Sequence, residues 1–133
     1  MEDAGAFRAG SALAGGVAKM GETCGALTGA LMAVGLAAGR EQLEDTAQLG
    51  QSMIPAEKIY LRFQEAEGTT RCAEIHKTRY GQSFQLTDPE QYKAFVEAGG
   101  HDATGCPDVC CNAARIAAEV ILDLREEKEA GDR

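Results

Sequence analysis

The sequence contains no tryptophan and only three prolines, and aromatic residues of all kinds make up 5% of it. Alternating β-branched runs and hairpin dipeptides such as Asn-Gly are missing, so no strand signal competes with helix. Basic charge is scarce as well: 13 Lys and Arg face 21 Asp and Glu, for a net charge of −8. That field repels phosphate backbones and acidic membranes, which argues against a nucleic-acid partner. No secretory signal opens the chain. Glu2 and Asp3 are acidic, and Arg8 and Lys19 bracket an Ala/Gly stretch, so the expected compartment is the cytoplasm. Nor is there a long run of strongly apolar residues. Residues 23–39 are uncharged, but Gly and Ala dilute them and they fall short of the ~20 apolar residues that a membrane span needs. They read instead as a buried central helix whose small residues let its neighbours approach closely.

Several chemical motifs are also absent. No CxxC occurs, which removes the thioredoxin-type dithiol and the paired zinc knuckle. CxxCH, CxxCxxC, GxGxxG and P-loop patterns are missing too.

What remains is a 133-residue chain, suited to a single domain spanning 1–133 that needs no disulfides to stay folded. Gly and Pro divide it into helical segments. Residues 4–14 are Ala-rich and end at Gly15-Gly16. Thr23 is placed to cap a helix from Cys24 to about Ala38, with Leu27, Leu31, Val34 and Ala38 at helical spacing. Residues 40–52 read as a polar linker with a helical turn around 43–49, and Pro55 fits the first turn of the following helix. Ile59 and Phe63 line one face, and Gly68 ends it. Cys72 opens a helix to about Tyr80. Thr87-Asp88-Pro89-Glu90 is a start signal for the next. The last begins at Cys106-Pro107 and carries Val109, Ala113, Ile116, Val120 and Leu124, with a charged tail from 125 to 133 expected to fray. The expectation is an all-α, compact bundle of five or six helices around a Gly/Ala-rich central helix.

Five cysteines stand out in this chain: Cys24, Cys72, Cys106, Cys110 and Cys111. Cytosolic thiols are mostly reduced, so an odd set of five points to thiol or metal chemistry rather than a disulfide framework. Cys24, Cys72 and Cys106 all fall at predicted helix starts, where unpaired N–H groups and the helix dipole favour a thiolate. Cys72 and His76 are four residues apart on one helix face. His76 there could lower the thiol pKa or join a metal site; the plainer reading for this pair alone is a partly exposed His on a polar helix. Cys110 lies one turn beyond Cys106, and Cys111 points about 100° away, as a packing residue. A bridge within this cluster would be strained, so its partners are expected far away in sequence, at Cys24, Cys72 or both. His101, like His76, sits in no nucleophile context.

The run Gly21-Glu22-Thr23-Cys24-Gly25-Ala26-Leu27-Thr28-Gly29-Ala30, with Gly35-Leu36 beyond it, Gly15-Gly16 before it, and Cys72 and Cys106 downstream, resembles the putative redox-active proteins marked by a CGAxxG motif and four cysteines. The resemblance covers most of the chain from about residue 12. It implies a small helical protein acting in redox chemistry through its cysteines, with Cys72 and Cys106 as the third and fourth family positions. Members carry one more cysteine upstream of the motif. None precedes Cys24 in this sequence, and Cys110 is the candidate to stand in for it.

The leading expectation is a thiol-based redox protein, an oxidoreductase of thiol–disulfide type if it is an enzyme. Cys24 is the activated thiolate and Cys72 or Cys106 the resolving partner, with no cofactor required and a redox partner that the sequence does not name. The alternative is a metal protein holding zinc or an iron–sulfur cluster through Cys24, Cys72, Cys106 and either Cys110 or His76. A third reading is a helical interaction module with structural cysteines. Gly/Ala helix faces are compatible with a homo-oligomer.

Overall fold

The computed structural model describes residues 3–133 and contains six α-helices. Helix α1, Ala4–Gly10, is capped by Asp3, whose side chain accepts from the Ala6 N–H at 2.8 Å. It passes into a short 3-10 turn at Ser11–Leu13. Helix α2, Gly25–Ala38, is the predicted central helix; it buries Leu27, Ala30 and Val34. Helix α3 runs Thr46–Glu67, α4 Cys72–Tyr80, α5 Pro89–Glu97 and α6 Cys106–Gly131. The expected all-α architecture is thus the observed one. Among the described residues, the nearest approach to a sheet is one isolated antiparallel bridge between Thr23 and Arg71, and no helix is long and apolar enough to cross a membrane.

The three longer helices, α2, α3 and α6, pack on one another around Leu27, Val34, Ile59, Phe63, Ile116 and Val120. Each such side chain contributes about 1.5–3 kcal/mol when fully buried. A second cluster, Phe84, Leu86 and Phe95, lies beside α4 and α5, with Tyr80, Tyr92 and Cys106 against it. The short α4 is tied down by charge. Arg79 pairs with Glu67 of α3 at 2.9 Å and Asp108 of α6 at 3.0 Å. Asn112 donates to the other oxygen of Glu67 at 2.9 Å. The Glu67 carboxylate is buried, and these partners satisfy both its oxygens, the condition on which a buried charge is tolerated.

Two boundaries differ from expectation. Helix α3 begins nine residues before Pro55 rather than at it, capped by Asp45, which accepts from the Gln48 N–H at 2.9 Å. Pro55 is buried inside the helix. It forfeits one backbone hydrogen bond, yet it lies on the same buried stripe as Ser52, Ile59 and Phe63, and packing on that stripe carries the helix through. The charged tail is also helical, to Gly131. Its Glu, Lys, Arg and Ala residues are strong helix formers, and extension from a formed helix needs no new nucleus.

Between the 3-10 turn and α2 the backbone does something the sequence pattern did not announce. Five consecutive residues have positive φ: Gly15 at 66°, Gly16 at 76°, Val17 at 63°, Ala18 at 51° and Lys19 at 63°. For the three non-glycine residues this left-handed turn costs roughly 1–2 kcal/mol each. Backbone bonds hold it, among them Val17 N–H to Leu13 O at 3.1 Å, Lys19 N–H to Ala14 O at 3.0 Å and Glu22 N–H to Gly16 O at 2.9 Å. Gly16 is the buried pivot, since a Cβ there would lie 2.6 Å from both Cys72 Cβ and the Glu22 nitrogen.

Gly16→Ala should therefore lower stability by roughly 3 kcal/mol, combining αL strain with a steric clash. Gly29→Ala, on α2 with no atom within 4 Å of the new Cβ, should raise it by about 0.5–1 kcal/mol. Urea unfolding midpoints of the two variants, expected to move in opposite directions, check both statements.

Candidate functional site

Two chain segments distant in sequence are stitched together to build the site. The Cys24 N–H donates to Thr70 O at 2.8 Å, the Cys72 N–H to Glu22 O at 2.7 Å, and the Ala73 N–H to Gly21 O at 3.0 Å. These bonds flank the Thr23–Arg71 bridge and set the start of α2 beside the start of α4. The third helix start arrives through a backbone bond from the Cys106 N–H to Gly100 O at 3.1 Å, and through the ion pair of Arg79 with Asp108 in the first turn of α6.

His76 is the centre of the arrangement. Its Nε2 lies 3.6 Å from Cys72 Sγ and 3.8 Å from Cys106 Sγ. The partly exposed histidine expected for this pair is in fact 2% exposed. The ring stacks on Phe95 with centroids 4.8 Å apart and meets Tyr80 and Phe84 edge-on at 5.6 and 5.9 Å. Burial lowers its pKa. Nδ1 has no hydrogen-bond partner, so Nε2 alone meets the thiols: it donates to sulfur in the Nε2–H tautomer and accepts from a thiol in the Nδ1–H tautomer. His76 is therefore neutral at neutral pH, with Nε2 directed at two sulfurs.

The three thiols differ in environment. Cys72 is buried, and burial pushes its thiol up to about 12, with further upward pressure from Cys24 and Cys106. Cys24, rather than the expected Thr23, is the N-cap of α2, with no side-chain capping bond, and its pKa is raised rather than lowered. Burial is the larger influence; the Ala26 and Leu27 N–H groups pull the other way, as a helix start should, and lose. Cys24 is thus not the low-pKa thiol that its position suggested. Cys106 is half-buried at the first residue of α6, and the Tyr80 hydroxyl donates to its sulfur at 3.5 Å. Burial raises the pKa of that hydroxyl too.

Cys110 is exposed yet contributes to the same pocket, and its thiol is raised by partial burial and by Cys106 and Cys111. Cys111, expected to be a packing residue, is exposed: α6 turns Val109 and Ala113 inward on either side of it. Among the described residues, no group of three or more His, Cys, Asp or Glu is placed to hold a metal ion.

Cys24, Cys72, Cys106, Cys110 and His76 all line one cavity of about 420 Å³. Leu13, Ile75, Leu86, Phe95 and Val109 form much of its wall, and the left-handed turn closes one side with Gly15, Gly16 and Lys19. Sequence reading passed over Tyr80 and the turn. Tyr80 was within reach, because it lies four residues beyond His76 and eight beyond Cys72 on the same helix face. The run of left-handed residues carried no such signal beyond its two glycines.

A family model described as putative redox-active protein (C_GCAxxG_C_C) matches residues 1–120. No curated protein and no solved structure matches the chain.

Because the Cys72 pKa is raised by burial, the folded state retains a proton that the unfolded chain releases near the ordinary thiol value of 9.0. Stability should then fall as pH rises through the window from about 9 to about 12. Cys72→Ala should flatten that fall. Denaturant midpoints at pH 8, 9, 10 and 11 for the parent and the variant make the measurement; parallel curves would remove Cys72 as the source.

Proposed function

We propose, for a chain that belongs to the putative redox-active protein (C_GCAxxG_C_C) family, that it works by thiol–disulfide exchange through Cys24, Cys72 and Cys106, with His76, in its Nδ1–H tautomer, as proton acceptor at Nε2. The observation that carries this reading is the placement of a buried, neutral imidazole nitrogen within 3.8 Å of two sulfurs from different helices.

The order of events follows from the thiol environments. A thiol with a pKa near 12 is ionised in only about one molecule in 10⁵ at neutral pH, so Cys72 is a poor first nucleophile. Cys106 is the better one. It is half-buried, it starts a 26-residue helix, Tyr80 can donate to its thiolate, and His76 can take its proton. The Cys106 thiolate attacks one sulfur of a partner disulfide, and the partner's other sulfur leaves as thiolate and takes the proton from His76. Cys72 or Cys24 then attacks Cys106 in the mixed disulfide. This resolving thiol gives up its proton through the same imidazole, and the second partner thiol is released. Burial suits a resolving thiol, which needs to react only with a sulfur delivered to it. This assigns the first attack to Cys106 instead of Cys24 and keeps the same three residues.

In a Cys110→Ser/Cys111→Ser background, oxidation of the reduced protein should produce one intramolecular disulfide, joining two of Cys24, Cys72 and Cys106, as mapped by peptide mass spectrometry. Three free thiols after treatment with diamide would overturn the reading. Before oxidation, iodoacetamide at pH 7.5 should label Cys106 ahead of Cys72. His76→Gln should slow disulfide formation at pH 7 by roughly 10²-fold, with the deficit shrinking as hydroxide takes over above pH 9.

A further inference from the structure

The cavity beside the thiols has room for a ligand as well as for the protein's own sulfurs. At about 420 Å³ it lies within the roughly 300–1,000 Å³ range of small-molecule sites. No Asp, Glu or Arg lines it, and the one lysine, Lys19, holds its ammonium 5.1 Å from the centroid of the Tyr92 ring. The sulfurs and the His76 ring face this space. A chain of net charge −8 also repels anionic partners on approach.

We infer that the cavity is a substrate site for a small, uncharged, apolar disulfide, which enters past Ala14 and presents its S–S bond to Cys106. The inference rests on the thiol–disulfide reading and adds the class of partner. An ionised disulfide such as glutathione disulfide would shed its hydration against walls that supply almost no compensating charge. An uncharged disulfide with a hydrocarbon body loses nothing comparable and gains by burying that body.

The exchange balances without another reagent. Cys106 sulfur bonds to one ligand sulfur as the ligand S–S bond breaks, and the leaving sulfur is protonated from His76. The resolving cysteine then bonds to Cys106 sulfur, the mixed disulfide breaks, and the second ligand sulfur takes the resolving thiol's proton. Two protein thiols are oxidised to one disulfide, and one ligand disulfide is reduced to two thiols, or to one dithiol if it is cyclic.

The left-handed turn forms part of this cavity's wall. Ala14, immediately before it, is exposed at the mouth in extended backbone (φ −62°, ψ 149°), a conformation open to a large side chain. Ala14→Phe therefore narrows the mouth while the thiols, His76 and the core stay as they are.

The test follows oxidation of the reduced Cys110→Ser/Cys111→Ser protein by lipoamide and bis(2-hydroxyethyl) disulfide as uncharged probes, and by glutathione disulfide and cystamine as charged ones. Each rate is divided by that probe's rate with free 2-mercaptoethanol. The normalised rate for lipoamide should exceed that for glutathione disulfide by roughly 10²-fold, as expected when only one of them can desolvate cheaply, and should saturate with concentration. Ala14→Phe should abolish the saturation and reduce the lipoamide rate at least tenfold, with an unchanged thermal melt. Equal normalised rates, linear concentration dependence throughout, or indifference to Ala14→Phe would overturn the ligand site while leaving thiol exchange standing. Failure of every probe, and of diamide, to form an intramolecular disulfide would instead overturn thiol exchange itself.

Discussion

The site depends first on a backbone clamp. Cys24 and Cys72 donate their amide hydrogens across to Thr70 and Glu22, so the cysteines that open α2 and α4 are themselves rungs of the smallest possible antiparallel ladder. A helix start has N–H groups with no intrahelical acceptor. Here two of those orphan donors, at neighbouring helix starts, are satisfied by each other's approach strand. The bond that completes each helix end also fixes the two thiol-bearing residues relative to one another. The left-handed turn then fits beneath, with Gly16 against Cys72. Backbone strain is tolerated at functional sites when the surroundings over-determine it, and six consecutive donors from Val17 to Glu22 do that here.

Burial and proton transfer are two aspects of the same construction. Packing the helix starts together removes water from the sulfurs, which holds Cys24 and Cys72 protonated. That protects them from stray oxidation, because the thiolate is the reactive form. The same packing places a neutral imidazole beside two sulfurs and surrounds it with aromatic rings that disfavour its charged form. In the proposed exchange reactivity is therefore conditional: a proton must move to His76 as a partner sulfur arrives. The Glu67–Arg79–Asp108 network sustains this geometry from behind, since it links α3, α4 and α6 where α4 has little apolar surface of its own.

Much of the architecture could be read along the chain because its signals are local. Asp88-Pro89, Gly68 and Gly81 mark α5, α3 and α4 where they were expected to begin or end, and the apolar spacing of α2 and α6 identified the faces that form the core. The misreadings share a cause. Pro55 reads locally as a helix start, yet it rides inside α3 on a stripe whose partners are α2 and α6. The tail was expected to fray because charge is solvated, yet it extends a helix already nucleated by packing. Cys24 was expected to be acidic from its place at a helix start; the N–H groups act as anticipated, and burial outweighs them.

Residue chemistry along the chain was enough to establish an all-α protein, the thiols at three helix starts and the face shared by Cys72 and His76, because caps, glycine stops and helical periodicity act over a few residues. Folding in three dimensions alone established that His76 is buried between Cys72 and Cys106, that Cys24 is held protonated, that Cys111 faces solvent, and that a left-handed turn walls an apolar cavity beside the sulfurs. Those properties arise from desolvation and from contacts between segments far apart in the sequence, such as Gly16 and Cys72, and no local pattern encodes how much water a neighbouring helix will exclude.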